Sequence, residues 1–287
     1  MAGWTLGIIG GSGLYDIAGL EDRETLSLDS PFGAPSSTLT TGRIGRARLA
    51  FLPRHGPGHR IPPGGINARA NIDVLKRAGC TDVLSLSAVG SLREDLPPGT
   101  FVAVDQYIDR TVGRASSFFG EGLVAHVSMA DPVCPRLAHL AATAARAAGA
   151  RVVEGGTYLC MEGPQFSTRA ESELYRSWGC AVIGMTNLPE ARLAREAELP
   201  YASIGMVTDY DCWRVGEAPV EVGDILSVLR GNAAMARDLI RRLAEALPAE
   251  RPPSPIDTCL DGAILTAPEA RDPAVMVRLD AVAGRVL

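Results

Sequence analysis

Hydrophobic positions along this chain fall into short runs that alternate with stretches of helical period. Trp4 to Ile9 is an apolar run closing on Gly10-Gly11-Ser12-Gly13, which predicts a strand ending in a tight loop. Thr38-Leu39-Thr40 and Ala47 to Leu52 flank a Gly-Arg-Ile-Gly segment and predict a hairpin. Asn67 to Ala78 has helical spacing with Gly79 as its stop, and Val83 to Val89 follows as a near-continuous apolar strand suited to a buried sheet position. Further strands are predicted at Phe101 to Val104, Thr157 to Met161, Ala181 to Ile183 and Tyr201 to Val207. Helices are predicted at Pro135 to Ala148, Arg169 to Trp178, Leu188 to Ala197 and Val222 to Leu247. Such alternation implies an α/β fold: a single domain with a twisted mixed central sheet flanked by helices. The pattern breaks at Pro248, so residues 1–247 are read as the domain and 248–287 as a C-terminal tail. Two apolar segments of that tail, Gly262 to Leu265 and Ala274 to Leu287, are expected to dock on the domain or on a neighbouring subunit.

Composition sharpens this picture by exclusion. With 287 residues, 46% hydrophobic and 21% charged, the chain has material for a substantial core. A net charge of −5 and no basic run argue against a nucleic-acid binder. No apolar run is long enough for a membrane span, and no two cysteines have CxxC spacing, so no membrane, no metal and a reducing cytoplasm are expected. Lys76 is the only lysine among 28 cationic residues, and it reads as an exposed helix position. A P-loop lysine or a Schiff base is therefore excluded, and any anion must be held by arginine, histidine, hydroxyls and backbone NH groups.

Five segments could carry chemistry. Gly10 to Gly13 suits either an anion-binding turn with Ser12 as a donor or a plain tight turn. Arg54 and His55, at a strand end, could grip an anion by a bidentate fork with a directional histidine donor beside it, or form a solvated loop. His59 reads as loop, because glycines and a proline separate it from His55. Ser87 and Ala88 lie at the C-terminal end of a sheet strand, either where a ligand collects or as a merely well-packed strand end. Phe166 beside Ser167 is either a stacking platform for a base or a core anchor next to a helix N-cap. Asp209 and Asp211, two apart at another strand end, could reach one ligand, and a partly desolvated carboxyl there could donate a proton; the alternative is a pair of turn aspartates.

Taken in order, GIIGGSGL, PRHG, NARANI, SAVGSLRED, DQYIDRT, EGPQFSTRAE, GMTNLPEARLAREA and VTDYDCW resemble the 5′-methylthioadenosine phosphorylases of the purine nucleoside phosphorylase family. The resemblance runs from about Gly7 to Leu247 and more weakly into the tail. It implies a homotrimer without organic cofactor or metal, in which inorganic phosphate is a co-substrate and the products are adenine and 5-methylthioribose 1-phosphate. It also implies a phosphate subsite of Ser12, Arg54, His55, Ser87 and Thr186, with Met185 along the ribose. Ala88, Phe166 and Ser167 would line the base pocket, Asp209 would protonate the leaving base, and Asp211 would accept from its 6-amino group. Val222, Ile225 and Leu226 match the apolar pocket for the methylthio group, and His126 matches a residue contributed by a neighbouring subunit. Two departures stand out: Ser12 where relatives often have threonine, and Gly184 where many adenosine-directed members have asparagine. The second leaves open a relative that prefers 6-oxopurines such as 5′-methylthioinosine; a catalytically silent nucleoside binder is the other alternative.

Overall fold

The computed structural model describes residues 3–11, 14, 17–214 and 222–287. The strands are β1 (Thr5–Gly10), β2 (Glu21–Leu26), β3 (Leu39–Ile44), β4 (Ala47–Pro53), β5 (Asp82–Ser91), β6 (Thr100–Ala103), β7 (Gln106–Arg110), β8 (Arg151–Glu154), β9 (Thr157–Met161), β10 (Val182–Gly184) and β11 (Tyr201–Asp209). The helices are α1 (Ala68–Arg77), α2 (Pro135–Ala147), α3 (Arg169–Ser177), α4 (Asn187–Glu196), α5 (Val222–Ala246), α6 (Pro273–Arg278) and α7 (Asp280–Ala283). All strands join one mixed sheet, with β2-β3-β4-β1-β5-β10-β9-β7 as its path and β11, β6 and β8 branching from β5.

β5 is the hub. It pairs in parallel with β1 through its first half and with β11 along its length, while its last two residues pair antiparallel with β10. β1 also pairs in parallel with β4. The C-terminal ends of β1, β4, β5 and β11 therefore open on one edge of the sheet, the place where open α/β sheets bind ligands.

Alternation along these strands sends side chains to two cores. Ile9, Val83, Val89, Tyr201 and Val207 pack on one face with α1, α4 and the C-terminal segment. Leu6, Ile8, Leu84, Leu86, Ile204 and Met206 pack on the other with α2 and α5. The near-continuous apolar reading of β5 has this cause: helices cover both faces of the sheet.

Three strands escape the hydrophobic pattern. β2 is an exposed edge strand, polar except for the half-buried Leu26, and β7 and β8 are short and half-buried. The hairpin turn is also shifted: β3 runs through Ile44, and Gly45-Arg46 makes the connection, with Gly45 at a positive φ of 57°. Lys76 differs from its expected place too. It is half-buried in a cleft of about 230 Å³ formed with Glu198, Arg251, Asp257 and Arg285, and burial lowers its pKa. The tail covers that helix face. Leu260, Leu279, Val282 and Ala283 enter the same core as α1, and Asp280 pairs with Arg77 while Arg285 pairs with Glu198.

Candidate active site

A cavity of about 480 Å³ opens at the shared strand ends. Arg54, His55, Ser87, Ala88, Phe166, Met185, Thr186, Asp209 and Asp211 all line it, although they lie far apart in the chain. Gly11 completes one end, and Ser12 lies outside the described residues.

Arg54 follows β4 directly, and its backbone NH donates to the Gly10 carbonyl, which locks the two strand ends together. Its guanidinium is fully buried. Nε donates to Glu190 Oε1, Nη2 to Glu190 Oε2 (3.2 Å) and to Ser85 Oγ, and Nη1 to the Leu86 carbonyl (3.1 Å). The bidentate fork expected for an anion thus faces Glu190, because a buried charge needs a paired countercharge. Of the five N–H groups of an arginine, one on Nη1 is left over for a ligand.

His55 also departs from expectation. Its Nδ1 lies 2.9 Å from the Ile61 carbonyl, which can only accept, so Nδ1 carries the hydrogen. Burial lowers its pKa to about 4. The neutral ring therefore presents Nε2 as an acceptor, where a donor was expected. His59 stacks on it with ring centres 4.1 Å apart, in a single 3₁₀ turn, Pro57–His59. Among the described residues no cluster of metal-ligating side chains occurs.

Ser87 Oγ lies 3.3 Å from Asn187 Oδ1, and Thr186 sits at the start of α4 without making a side-chain cap. Thr186 and Met185 are held by a residue that the motif reading misses. Arg114 donates to the carbonyls of Met185 (2.7 Å), Leu188 (3.0 Å) and Glu162 (2.7 Å), and pairs with the Glu162 carboxylate. Glu190 is the second omission. In sequence it is one more acidic helix residue, and only its position in a helix buried on every side marks it.

At the opposite end, a bulge in β11 between Val207 and Asp209 turns the Asp209 side chain into the cavity. Gly90 permits that approach: a Cβ there would stand 3.0 Å from Asp209 Oδ1 and 3.1 Å from Ile183. Asp209 accepts from Thr208 Oγ1 (2.7 Å) and from the Asp211 backbone NH (2.8 Å), while burial raises its pKa. Asp211 adopts a positive φ of 53°, uncommon for a residue with a side chain. Its buried Oδ2 has no protein partner, and burial together with the neighbouring Asp209 charge raises its pKa. Two carboxyl groups near one ligand, both biased toward the protonated form, suit proton donation to a base.

Phe166 projects 48% exposed at the cavity rim. Ser167 is not among the lining residues: its Oγ faces Met161 Sδ (3.7 Å) and bears on the Asp211 carboxyl, and its carbonyl accepts from Cys212 Sγ. The N-cap of α3 is Thr168, which forms a capping box with Glu171. His126 is remote from this cavity within the chain. It lines a separate surface hollow of about 340 Å³ with Ser117, Phe119, Arg192 and Glu196. Val222, Ile225 and Leu226 belong to α5, but their side chains lie outside the described residues; farther along that helix Ala233 reaches the cavity.

Residues 5–245 match the family model of the Phosphorylase superfamily. The S-methyl-5′-thioadenosine phosphorylase of Bradyrhizobium diazoefficiens is 60% identical over 98% of both chains, and that of Cereibacter sphaeroides 57% over the same shares. Among solved structures, a methylthioadenosine phosphorylase from an antarctic soil metagenomic library superposes with a TM-score of 0.92 at 43% identity, covering 98% of this chain and 99% of the other. A methylthioadenosine phosphorylase from Schistosoma mansoni in complex with adenine gives 0.85 at 37% identity, covering 91% and 99%. The chain belongs to the Phosphorylase superfamily and, within it, to the S-methyl-5′-thioadenosine phosphorylases.

Proposed function

We propose that this cavity binds 5′-methylthioadenosine and inorganic phosphate together, and that the protein cleaves the nucleoside by phosphorolysis to adenine and 5-methylthioribose 1-phosphate. One observation carries the reading. An anion end made of Arg54, His55, Ser87 and Thr186 and a base end made of Asp209 and Asp211 share a single cavity, whose lining also includes Met185 on the β10–α4 connection.

A phosphate oxygen attacks the anomeric carbon as the C1′–N9 bond breaks, and the bonding pair leaves with the base. The sugar passes through a cationic state like that of glycosidases, so holding phosphate against that carbon and protonating the departing base are the two tasks. Asp209, protonated more readily than an ordinary aspartate because of its burial, delivers its proton to ring nitrogen 7. The unpartnered Oδ2 of Asp211 accepts from the 6-amino group. Phosphate receives the remaining Arg54 N–H and the Ser87 and Thr186 hydroxyls, and a hydrogenphosphate O–H donates to His55 Nε2. Ser12 adds a hydroxyl to this set. Ala88 and Phe166 flank the base, and Val222, Ile225 and Leu226 surround the methylthio group. An apolar 5′ pocket disfavours a 5′-hydroxyl, which would be left unpaired.

The chemistry requires no metal or organic cofactor. The active assembly is a homotrimer in the cytoplasm, with His126 completing a neighbour's 5′ pocket. No helix among the described residues is long and apolar enough to cross a membrane.

The deciding assay measures base release from 6-amino and 6-oxo nucleosides with and without phosphate. Adenine release that requires phosphate, at a higher kcat/KM for methylthioadenosine than for methylthioinosine, supports the reading. Phosphate-independent release makes the protein a nucleosidase, and a 6-oxo preference overturns the adenine assignment. Tight nucleoside binding without turnover identifies a binding protein.

A further inference from the structure

Gly184 lines the cavity beside Met185, and the place its side chain would fill is taken. A Cβ on Gly184 would stand 2.0 Å from Tyr158 Oη and 2.6 Å from Tyr158 Cζ, so a side chain at 184 and a tyrosine at 158 exclude each other. Tyr158 comes from β9, two strands away from β5 along the sheet. It is completely buried, with its ring edge-on to Tyr107 at 5.8 Å, and the hydroxyl end of the ring backs onto Gly184 at the cavity wall.

That hydroxyl accepts the backbone NH of Thr186 (3.5 Å). Burial pushes the phenol well above its ordinary pKa and keeps the proton on, so the group also offers a hydrogen. The polar groups bearing on it include Arg54 and Ser87. Thr186, Arg54 and Ser87 arrive from three different elements, and all belong to the anion end of the cavity.

We propose that Tyr158 is a positioning residue of the phosphate subsite: through the slot left by Gly184 its hydroxyl fixes Thr186 from behind and sets the spacing of the anion donors. This rests on the phosphorolysis reading. The tyrosine places its hydroxyl, from another strand, in the volume that a side chain at 184 would take.

The test is Tyr158→Phe, which removes one oxygen and keeps the ring packed. Phosphate is varied at saturating methylthioadenosine, then the nucleoside at saturating phosphate. The KM for phosphate is expected to rise about 5- to 10-fold, the size of one buried hydrogen bond, while the KM for the nucleoside stays within about twofold. An unchanged phosphate KM, or equal rises in both constants, overturns the proposal, because a merely structural tyrosine would not separate the two substrates. A second arm uses Gly184→Ala, expected to lose activity by collision with Tyr158 and to regain part of it when Tyr158→Leu is added. Failure of the second change to restore any activity overturns the steric half of the argument. Wild-type turnover that ignores phosphate would instead defeat the phosphorolysis reading itself, so the two failures are distinguishable.

Discussion

At the residue scale, two side chains in one cavity are displaced from their ordinary titration in opposite senses, and burial causes both shifts. Burial favours the neutral form, which is the acid for Asp209 and the base for His55. A carboxylic acid that stays protonated is a proton donor, so Asp209→Asn is expected to lower kcat about 100- to 10,000-fold and leave the KM for phosphate nearly unchanged. The same logic gives a pH dependence: wild-type kcat falls as pH rises through the raised pKa of Asp209, and that limb is absent from the asparagine variant. For His55 the stability sign follows from a folded pKa of about 4 against an ordinary value of 6.5. The unfolded chain takes up a proton that the fold resists, so the contribution of His55 is present above 6.5 and lost as pH falls through about 4. Melting curves from neutral pH to about 4 are therefore expected to show a larger loss for the wild type than for His55→Gln. An equal loss in both would mean that the fold does not lower the pKa of His55.

At the scale of elements, the sequence is legible wherever a strand is buried on both faces or a helix carries its own stop. β5 and α2 read correctly because of continuous apolar character, Pro135 and Gly149. β2 has no such signal, since its side chains face water except for Leu26 and its pairing with β3 makes it a strand. The site shows the same division. Arg54, Ser87 and Asp209 are legible because each sits at a strand end, where ligands bind. Glu190, Arg114 and Tyr158 act on the site from behind, across long sequence separations, and nothing local distinguishes them. The pairing of the Arg54 fork is hidden in the sequence for this reason: its countercharge lies 136 residues away. Arg114 gives a direct test. It joins the β10–α4 connection to the Glu162 turn through three carbonyls, and its side chain is 8% exposed. Arg114→Ala leaves those carbonyls without their charged donor, an expected loss on the order of 2–3 kcal/mol. Because Met185 and Thr186 both shift, kcat/KM is expected to fall up to about 100-fold for nucleoside and phosphate alike. This common loss separates Arg114 from Tyr158, for which only the phosphate constant moves.

At the scale of the whole molecule, the C-terminal segment is part of the core, and His126 lines an open surface hollow. Leu260 and Leu279 are buried against α1, and Arg251 ties the segment to Asp82 at the start of β5. These contacts also account for the misplacement of Lys76, since a helix face that looks solvated within 1–247 is covered by residues beyond it. The His126 backbone NH pairs with the Ala263 carbonyl of that segment, but its side chain is exposed. Val124 beside it is exposed, and the hollow it lines is separate from the cavity of its own chain. If that surface completes a neighbour's 5′ pocket, assembly and nucleoside affinity are coupled, whereas the anion end, built wholly within one chain, is not. Light scattering is then expected to show a trimer, and dilution to dissociate trimer and activity together, with the KM for nucleoside rising before the KM for phosphate. His126→Ala should raise the nucleoside KM at concentrations where the trimer persists. A monomer that keeps full activity and the same nucleoside KM would place His126 outside the catalytic assembly and make each chain a complete enzyme.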